Sequence, residues 1–541
     1  MKFNFSTPLL FLFLLALVAA CKSQKAIPEN SSGTEIKKNP ERPKADLPGK
    51  NLSDIPLELQ PLDFELAELP REFRGVWIAT VVNIDWPTSP NDPYEKQKED
   101  FIKLLDYYQS LNFNAAIVQI RTAGDAFYPS NLAPWSKYLT GKEGKKPDTN
   151  EDPLSWMIWQ THQRGMEFHA WLNPYRATFD LKTEVLSPDH DFNKHPEWML
   201  KYGPKYYYDP GIPEVKAHLT NVIREVVSNY DVDAIHFDDY FYPYKIPNTA
   251  FPDKRSFEKY KKPGQGIEDW RRENVNDLVR MVHSSIEEIK PWVQFGISPF
   301  GVWRNQDKDP MGSPTRAGQT NYDDLYADPI TWMKEGWIDY LIPQVYWSMD
   351  YELASYRKLN DWWSNNSYNT KIYIGNGPYK IRENADKSWD NPREINTQIS
   401  YTRTLPNIHG NAFFSAKSLF AKNKDVANLL KSELYDEPTL APDFKRTNNT
   451  IIEAPAISSV SNEKEWTRIN LEKPLDPAIR LAVVQWASSL EELEIAEQHR
   501  IWVGTGRPRA LEVSNTGQRY LAIRWIDHFG QIASSQVFLV P

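Results

Sequence analysis

Asp238 and Asp239 are the residues of this chain best placed to do chemistry. They close the run Asp233-Ala-Ile-His-Phe-Asp-Asp-Tyr-Phe-Tyr-Pro243, which reads as a buried strand ending abruptly in two carboxylates and a cluster of aromatics. Side chains alternate along a strand, so Ala234, His236 and Asp238 share one face while Ile235 and Phe237 share the other. The apolar pair can pack outward on helices. The other face then delivers Asp238 to the C-terminal end of the strand, where barrels of parallel strands build their active sites. Carboxylates ringed by Tyr and Trp suit glycosidic cleavage. That reaction needs a proton donor for the leaving oxygen and a group that manages positive charge at the anomeric carbon. Asp238 is expected as the stabilising or nucleophilic carboxylate, with Asp239 or Asp125 as the acid. Adjacent carboxylates repel, so one of them should keep its proton to unusually high pH. The plainer reading of Asp239 is a cap on the following helix.

Other strand ends carry residues of matching type. Arg121 and Asp125 follow the second strand, Asn173, Tyr175 and Arg176 the third, and Tyr240 and Tyr242 the fourth. Trp303 and Arg304 follow the fifth, Gln344, Tyr346 and Trp347 end the sixth, and Asn376 follows the seventh. Asn173 and Gln344 can hydrogen-bond sugar hydroxyls, and the aromatics can stack on sugar faces. Arg121, Arg176 and Arg304 point to an anionic group on the substrate, because guanidinium grips carboxylates bidentately. Equally, they could neutralise an acidic site. His169, His236 and Asp238 could be proposed as zinc ligands, but the sequence has no HExxH, no HxH and no Cys cluster, so no metal or other cofactor is expected. A Ser–His–Asp triad lacks its GxSxG elbow.

The elements that must position these residues follow from alternating apolar and amphipathic runs. Strands are predicted at Gly75–Val82, Ala115–Arg121, Glu167–Asn173, Ala234–Asp238, Gln294–Pro299, Tyr340–Gln344, Ile372–Gly375 and Ala412–Ser415, with a helical pattern after each. This implies an α/β fold, a (β/α)8 TIM barrel. A doubly wound sheet is the weaker alternative, since no GxGxxG turn follows the first strand. Long loops follow several strands, among them Pro174–Pro213 and Asp239–Ile267. Beyond a linker at 436–449, seven short β-rich runs between Ala456 and Val540 predict a small C-terminal β-sandwich of fibronectin type III or immunoglobulin kind, over 450–541. The barrel domain is placed at 61–435.

With 541 residues the chain needs more than one core, and its net charge of −9 argues against a nucleic-acid partner. Lys2, the apolar run Leu9–Ala20 and the sole cysteine, Cys21, form a pattern similar to a bacterial lipoprotein signal over 1–20, with Cys21 as the lipidated residue. A polar tether over 21–60 follows. The expected setting is the outer membrane, with the folded part on the periplasmic face, lipid-anchored and monomeric.

The motifs RGVWIATVVNIDWP (Arg74–Pro87), AAIVQIRTAGDAFYPS (Ala115–Ser130), HAWLNPYR (His169–Arg176), DAIHFDDYFYP (Asp233–Pro243), FGISPFGVWRN (Phe295–Asn305) and IDYLIPQVYW (Ile338–Trp347) resemble the glycosyl-hydrolase-like 10 family over about Pro70 to Leu430. The resemblance implies a barrel hydrolase of the cell envelope acting on peptidoglycan strands whose stem peptides have been removed. The lactyl carboxylate of such strands would meet the arginines, and Asp238 and Asp239 take the catalytic positions. Strands four and six are also similar to those of family 18 chitinases, where Asp238 and Tyr346 match but Tyr240 stands in the acid position. A non-catalytic glycan-binding lipoprotein and an interaction scaffold built on the sandwich are the competing readings.

Overall fold

The computed structural model describes residues 59–444, 452–463, 466–503, 508–514 and 517–540; Cys21, the apolar leader and nearly all of the tether lie outside them. Eight parallel strands close into a barrel: β2 (Phe73–Ile78), β3 (Ala115–Arg121), β4 (Glu167–Leu172), β7 (Ala234–Phe237), β8 (Gln294–Ile297), β9 (Tyr340–Leu341), β10 (Lys371–Asn376) and β11 (Ile408–Phe413), with β11 pairing back onto β2. Each overlaps a run expected from the sequence, but the first ends at Ile78, with a helical turn at Val81–Asn83 where strand was expected, and the last begins at Ile408 rather than Ala412. Their near-complete burial explains why they read as continuous apolar segments rather than alternating ones. The sixth strand is shorter than expected. Pro343 has no N–H for the ladder, so Gln344 joins only through single bridges to Phe300 and Gly375.

Eight helices follow the strands as the sequence implies, from Tyr94–Ser110 to Lys424–Glu433. The helix expected at Asp323–Lys334 is broken in two, Asn321–Asp324 and Pro329–Lys334. Pro329 can only start a helix, and the Asp328 side chain caps that start.

The barrel is filled by Phe73, Trp77, Ile117, Trp171, Tyr340 and Tyr373, with the Phe73 and Tyr373 rings stacked 4.1 Å apart. Tyr340 lies across the interior, where a Cβ on Gly296 would stand 1.9 Å from its ring, so β8 needs glycine there. The Tyr340 hydroxyl sits between His169 Nδ1 (2.8 Å) and His236 Nδ1 (3.1 Å), and the far nitrogen of His169 meets Glu167 at 3.0 Å.

The C-terminal part is two antiparallel sheets sharing one apolar core. One contains β12 (Ile457–Glu463), β13 (Trp466–Leu471) and β16 (Ala510–Ser514). The other contains β14 (Ile479–Ala487), β15 (His499–Trp502), β17 (Tyr520–Asp527) and β18 (Ile532–Leu539). All seven expected strands are there, and an eighth comes from before the barrel. β1 (Gln60–Leu62), which the sequence reading placed almost wholly in the barrel domain, pairs antiparallel with β18. Strand β14 is buried along its whole length. One face packs into the sandwich core, while Leu481 and Val483 on the other meet Leu69 and Leu440.

Arg480, also on β14, enters the barrel floor and bonds Glu167 and Asp233 (3.1 Å). Asp233 in turn accepts from the Phe168 N–H (2.7 Å) and contacts His162 (2.8 Å), whose ring stacks on Trp502 at 3.8 Å.

Candidate active site

Asp238 and Asp239 lie just beyond β7 at the C-terminal mouth of the barrel. The Ser298 N–H continues the ladder to the Phe237 carbonyl at 2.8 Å and holds this strand end in place. Both carboxyls are buried, each 4% exposed.

A hydrogen-bond relay orients the group that holds Asp238. The N–H groups of Thr80 (3.0 Å) and Val81 (2.9 Å) donate to Gln119 Oε1. Gln119 Nε2 must then donate, and it reaches Asn173 Oδ1 at 2.5 Å. That leaves the Asn173 amide nitrogen to donate to Asp238 Oδ2. The relay therefore runs from the first barrel strand to the fourth. Asp239 receives the Tyr244 hydroxyl, and the nearby Gln344 side chain favours its charged form. Gln344 is itself tied to the Ser298 carbonyl at 2.8 Å.

Electrostatics separate this pair from ordinary carboxylates. Burial, reinforced by the neighbouring charge of Asp239, raises Asp238 to about 7, against the pull of Arg176 and the hydrogen bonds it accepts. Asp239 is also raised, by burial, with the Tyr244 hydrogen bond opposing. Near neutral pH the pair thus holds a proton that it can give away, beside a carboxylate that can carry charge, which is the equipment for protonating a leaving oxygen while stabilising a cationic centre.

Arg176 stacks on the Tyr240 ring at 4.2 Å and bears on both carboxylates. Around them stand half-buried aromatics: Tyr240, Tyr244, Tyr346 and Trp347, with Tyr379 and Phe414 completing a wall 6.0 and 6.2 Å from Tyr346. Part-exposed rings of this kind suit sugar stacking.

Asp238, Asp239, Asn173, Arg176, Tyr240, Gln344 and Tyr346 are therefore brought together, with Trp347 at the rim against Phe300 (5.5 Å). The remaining expected site residues have other surroundings. Asp125 accepts from the Thr122 and Ala123 N–H groups (2.8 and 2.9 Å) and from the Thr122 hydroxyl, so it fastens its own loop. Arg121 donates to the Tyr208 hydroxyl (3.3 Å) and the Asp125 carbonyl (3.4 Å). Arg304 is consumed by Asp323 (2.8 Å) and Asp309 (2.7 Å), which realises the neutralising role rather than substrate binding. Trp303 donates to Asp328 (3.0 Å) within the core. Tyr175 and Tyr242 are core residues, 0% and 1% exposed, out of reach of a sugar. Asn376 is saturated by Tyr356 (3.0 Å), Gln398 (2.9 Å) and Asn411 (2.8 Å).

The sequence reading passed over Asp85 and Tyr244. Asp85 accepts from the Ala79 N–H (2.8 Å), the Ser415 hydroxyl (2.7 Å) and the Lys417 N–H (2.8 Å), joining the loops after the first and last barrel strands. Burial lifts it to about 6. Its only signal was its place inside the first motif.

The family model for glycosyl hydrolase-like 10 matches residues 72–391. The chain belongs to that family. Among its relatives, glycosyl hydrolase YngK of Bacillus subtilis (strain 168) is 47% identical over 410 residues, covering 75% of this chain and 80% of the relative. Glycosyl hydrolase DigH of Escherichia coli (strain K12) is 37% identical over 364 residues, covering 63% of this chain and 82% of DigH. Among solved structures, the glycoside hydrolase domain of PgaB (BpsB) from Bordetella bronchiseptica aligns with a TM-score of 0.44 at 11% identity, over 67% of this chain and 98% of that one. As a member of the family, the protein is a glycoside hydrolase and its substrate is a glycan.

Proposed function

We propose that this hydrolase cleaves an amino-sugar glycan, namely peptidoglycan strands lacking stem peptides, and that Asp238 and Asp239 do the chemistry. The observation that carries the assignment is the buried, adjacent carboxyl pair at the end of β7, one member raised to about 7. In this reading the pair's proton goes to the glycosidic oxygen as its bond to the anomeric carbon breaks. The remaining carboxylate stabilises or captures the oxocarbenium centre, and water completes hydrolysis. Asn173 and Gln344 hold the two carboxyls apart in role, and Tyr240, Tyr346 and Trp347 grip the sugar rings.

The substrate assignment is supported by the resemblance of the strand-end motifs and by the cationic Arg176 beside the pair. The test is reducing-end release from amidase-stripped peptidoglycan, intact peptidoglycan and chitin oligomers. Release from the stripped strands alone is expected, and its loss in folded Asp238→Asn and Asp239→Asn proteins would tie it to the pair. Equal release by these variants would remove the site assignment.

The chain is further proposed to act as a monomer anchored by lipid on Cys21 to the periplasmic face of the outer membrane. Cys21→Ser should shift the protein from the membrane fraction to the soluble fraction.

A further inference from the structure

Lys205 lies in the long loop after β4, on a hairpin formed by β5 (Met199–Tyr202) and β6 (Lys205–Tyr208). The chain just past Asn173 joins this hairpin. Arg176 pairs antiparallel with Tyr207, the Tyr208 N–H donates to the Tyr175 carbonyl (2.9 Å) and the Ala177 N–H to the Tyr206 carbonyl (3.1 Å). Opposed residues in such a pair project to the same side, and so do residues two apart on one strand. Arg176, Tyr207 and Lys205 therefore share one face of this small sheet.

The two cations are oddly provided for. Arg176 is 4% exposed, and its Nε has no partner among the described residues. The carboxylates that bear on it are Asp238 and Asp239, both held toward their neutral forms. The charge that bears on half-buried Lys205 is Arg176 itself, a like charge, and the ammonium rests 4.9 Å from the Phe179 ring. Among the other sheltered guanidiniums, Arg271 is met by Asp253 (2.6 Å), Arg304 by two aspartates and Arg480 by Glu167 and Asp233, whereas Arg121 and Arg524 bond neutral acceptors. Desolvating two like charges side by side is unfavourable until an anion joins them.

We propose that Arg176 and Lys205 form a subsite for a carboxylate carried by the glycan, next to the Asp238–Asp239 pair. The subsite rests on the hydrolase reading for its substrate, but it makes a separate demand, namely that the enzyme senses charge on the sugar. Guanidinium and ammonium together can take both oxygens of one carboxylate.

The test uses the full chain with two acidic glycans: amidase-stripped peptidoglycan strands, which carry an ether-linked carboxylate, and hyaluronan, which carries a uronate. Each is compared with its carboxyl-reduced counterpart. Catalytic efficiency is read by reducing-end release and affinity by titration calorimetry. Wild type should favour the carboxylate form of at least one glycan on the order of tenfold, the scale of one charge-assisted hydrogen bond. Lys205→Met should bring that ratio toward one. Lys205→Gln serves if the first variant fails to fold. The glycan showing the preference identifies the carboxylate's source. A wild-type ratio near one, a ratio unchanged in the variants, or no binding of any of the four glycans overturns the subsite. Should no reducing ends appear at all, the hydrolase reading on these glycans falls, and the calorimetric ratio alone decides the subsite.

Discussion

At the floor of the barrel, Arg480 reaches in from the sandwich and finds a carboxylate at each end, Glu167 and Asp233, which in turn meet His169 and His162. At the mouth, Arg176 is as deeply buried, yet no described carboxylate pairs with it, and the two aspartates nearby repel each other. Both ends bear the cost of desolvation. Only the floor recovers it within the folded chain. The floor's pKa values accordingly move toward the charged forms, with Asp233 and Glu167 lowered, whereas Asp238 and Asp239 at the mouth are raised. Charges that complete each other hold two domains in register. Charges left incomplete are the ones a substrate can complete.

The comparison can be broken in several places. The largest effect expected is at the mouth. Asp238→Asn should lower catalytic efficiency about 10²–10⁴-fold, the usual worth of a positioned acid or base, with the folded spectrum intact. At the floor, Arg480→Met should strand two buried carboxylates and cost about 3–5 kcal/mol in denaturant unfolding, with kcat little altered. A kcat loss matching that of Asp238→Asn would make the floor part of the catalytic apparatus and erase the distinction.

The pH dependence has a definite sign. Asp238 is raised from 3.8 to about 7, so its burial is harmless below the unfolded pKa and costs stability as pH rises through the folded one. Asp238→Asn should therefore be more stable than wild type at pH 8, on the order of 1–3 kcal/mol, with the gap closing toward pH 4. Asp239→Asn removes the neighbouring charge and should move the Asp238 titration, followed by carboxyl NMR, to lower pH. The smallest effect is expected at Arg304. With Asp323 and Asp309 already on it, Arg304→Met should change catalytic efficiency within about threefold, as for a partly exposed ion pair.

Much of this was legible in the sequence, for reasons that differ by element. The barrel strands announce themselves because both faces are covered and apolar residues run continuously. Asp238, Asn173 and Gln344 stand at or just past strand ends, where period-two alternation still says which way a side chain points. That rule fails once the chain turns. Tyr175 and Arg176 are neighbours, yet one packs into the core and the other bears on the carboxyl pair. Trp303 and Arg304 both enter loop packing. Tyr244 and Phe414 reach the site from a loop and the last strand's end with no local pattern to mark them. Gln60-Pro-Leu62 carries no strand signal of its own, since its pairing is supplied entirely by β18.

That short β1 strand also decides how the molecule can be held. The chain passes from the sandwich edge into the barrel, and the sandwich sits under the floor, at the end of the strands opposite the mouth. Whatever precedes Leu59 joins at that edge. A grip on the upstream chain therefore takes the enzyme by its base and leaves its mouth pointing away from the point of attachment. Pulling on it loads a three-residue ladder against the C-terminal strand before any barrel strand feels the tension.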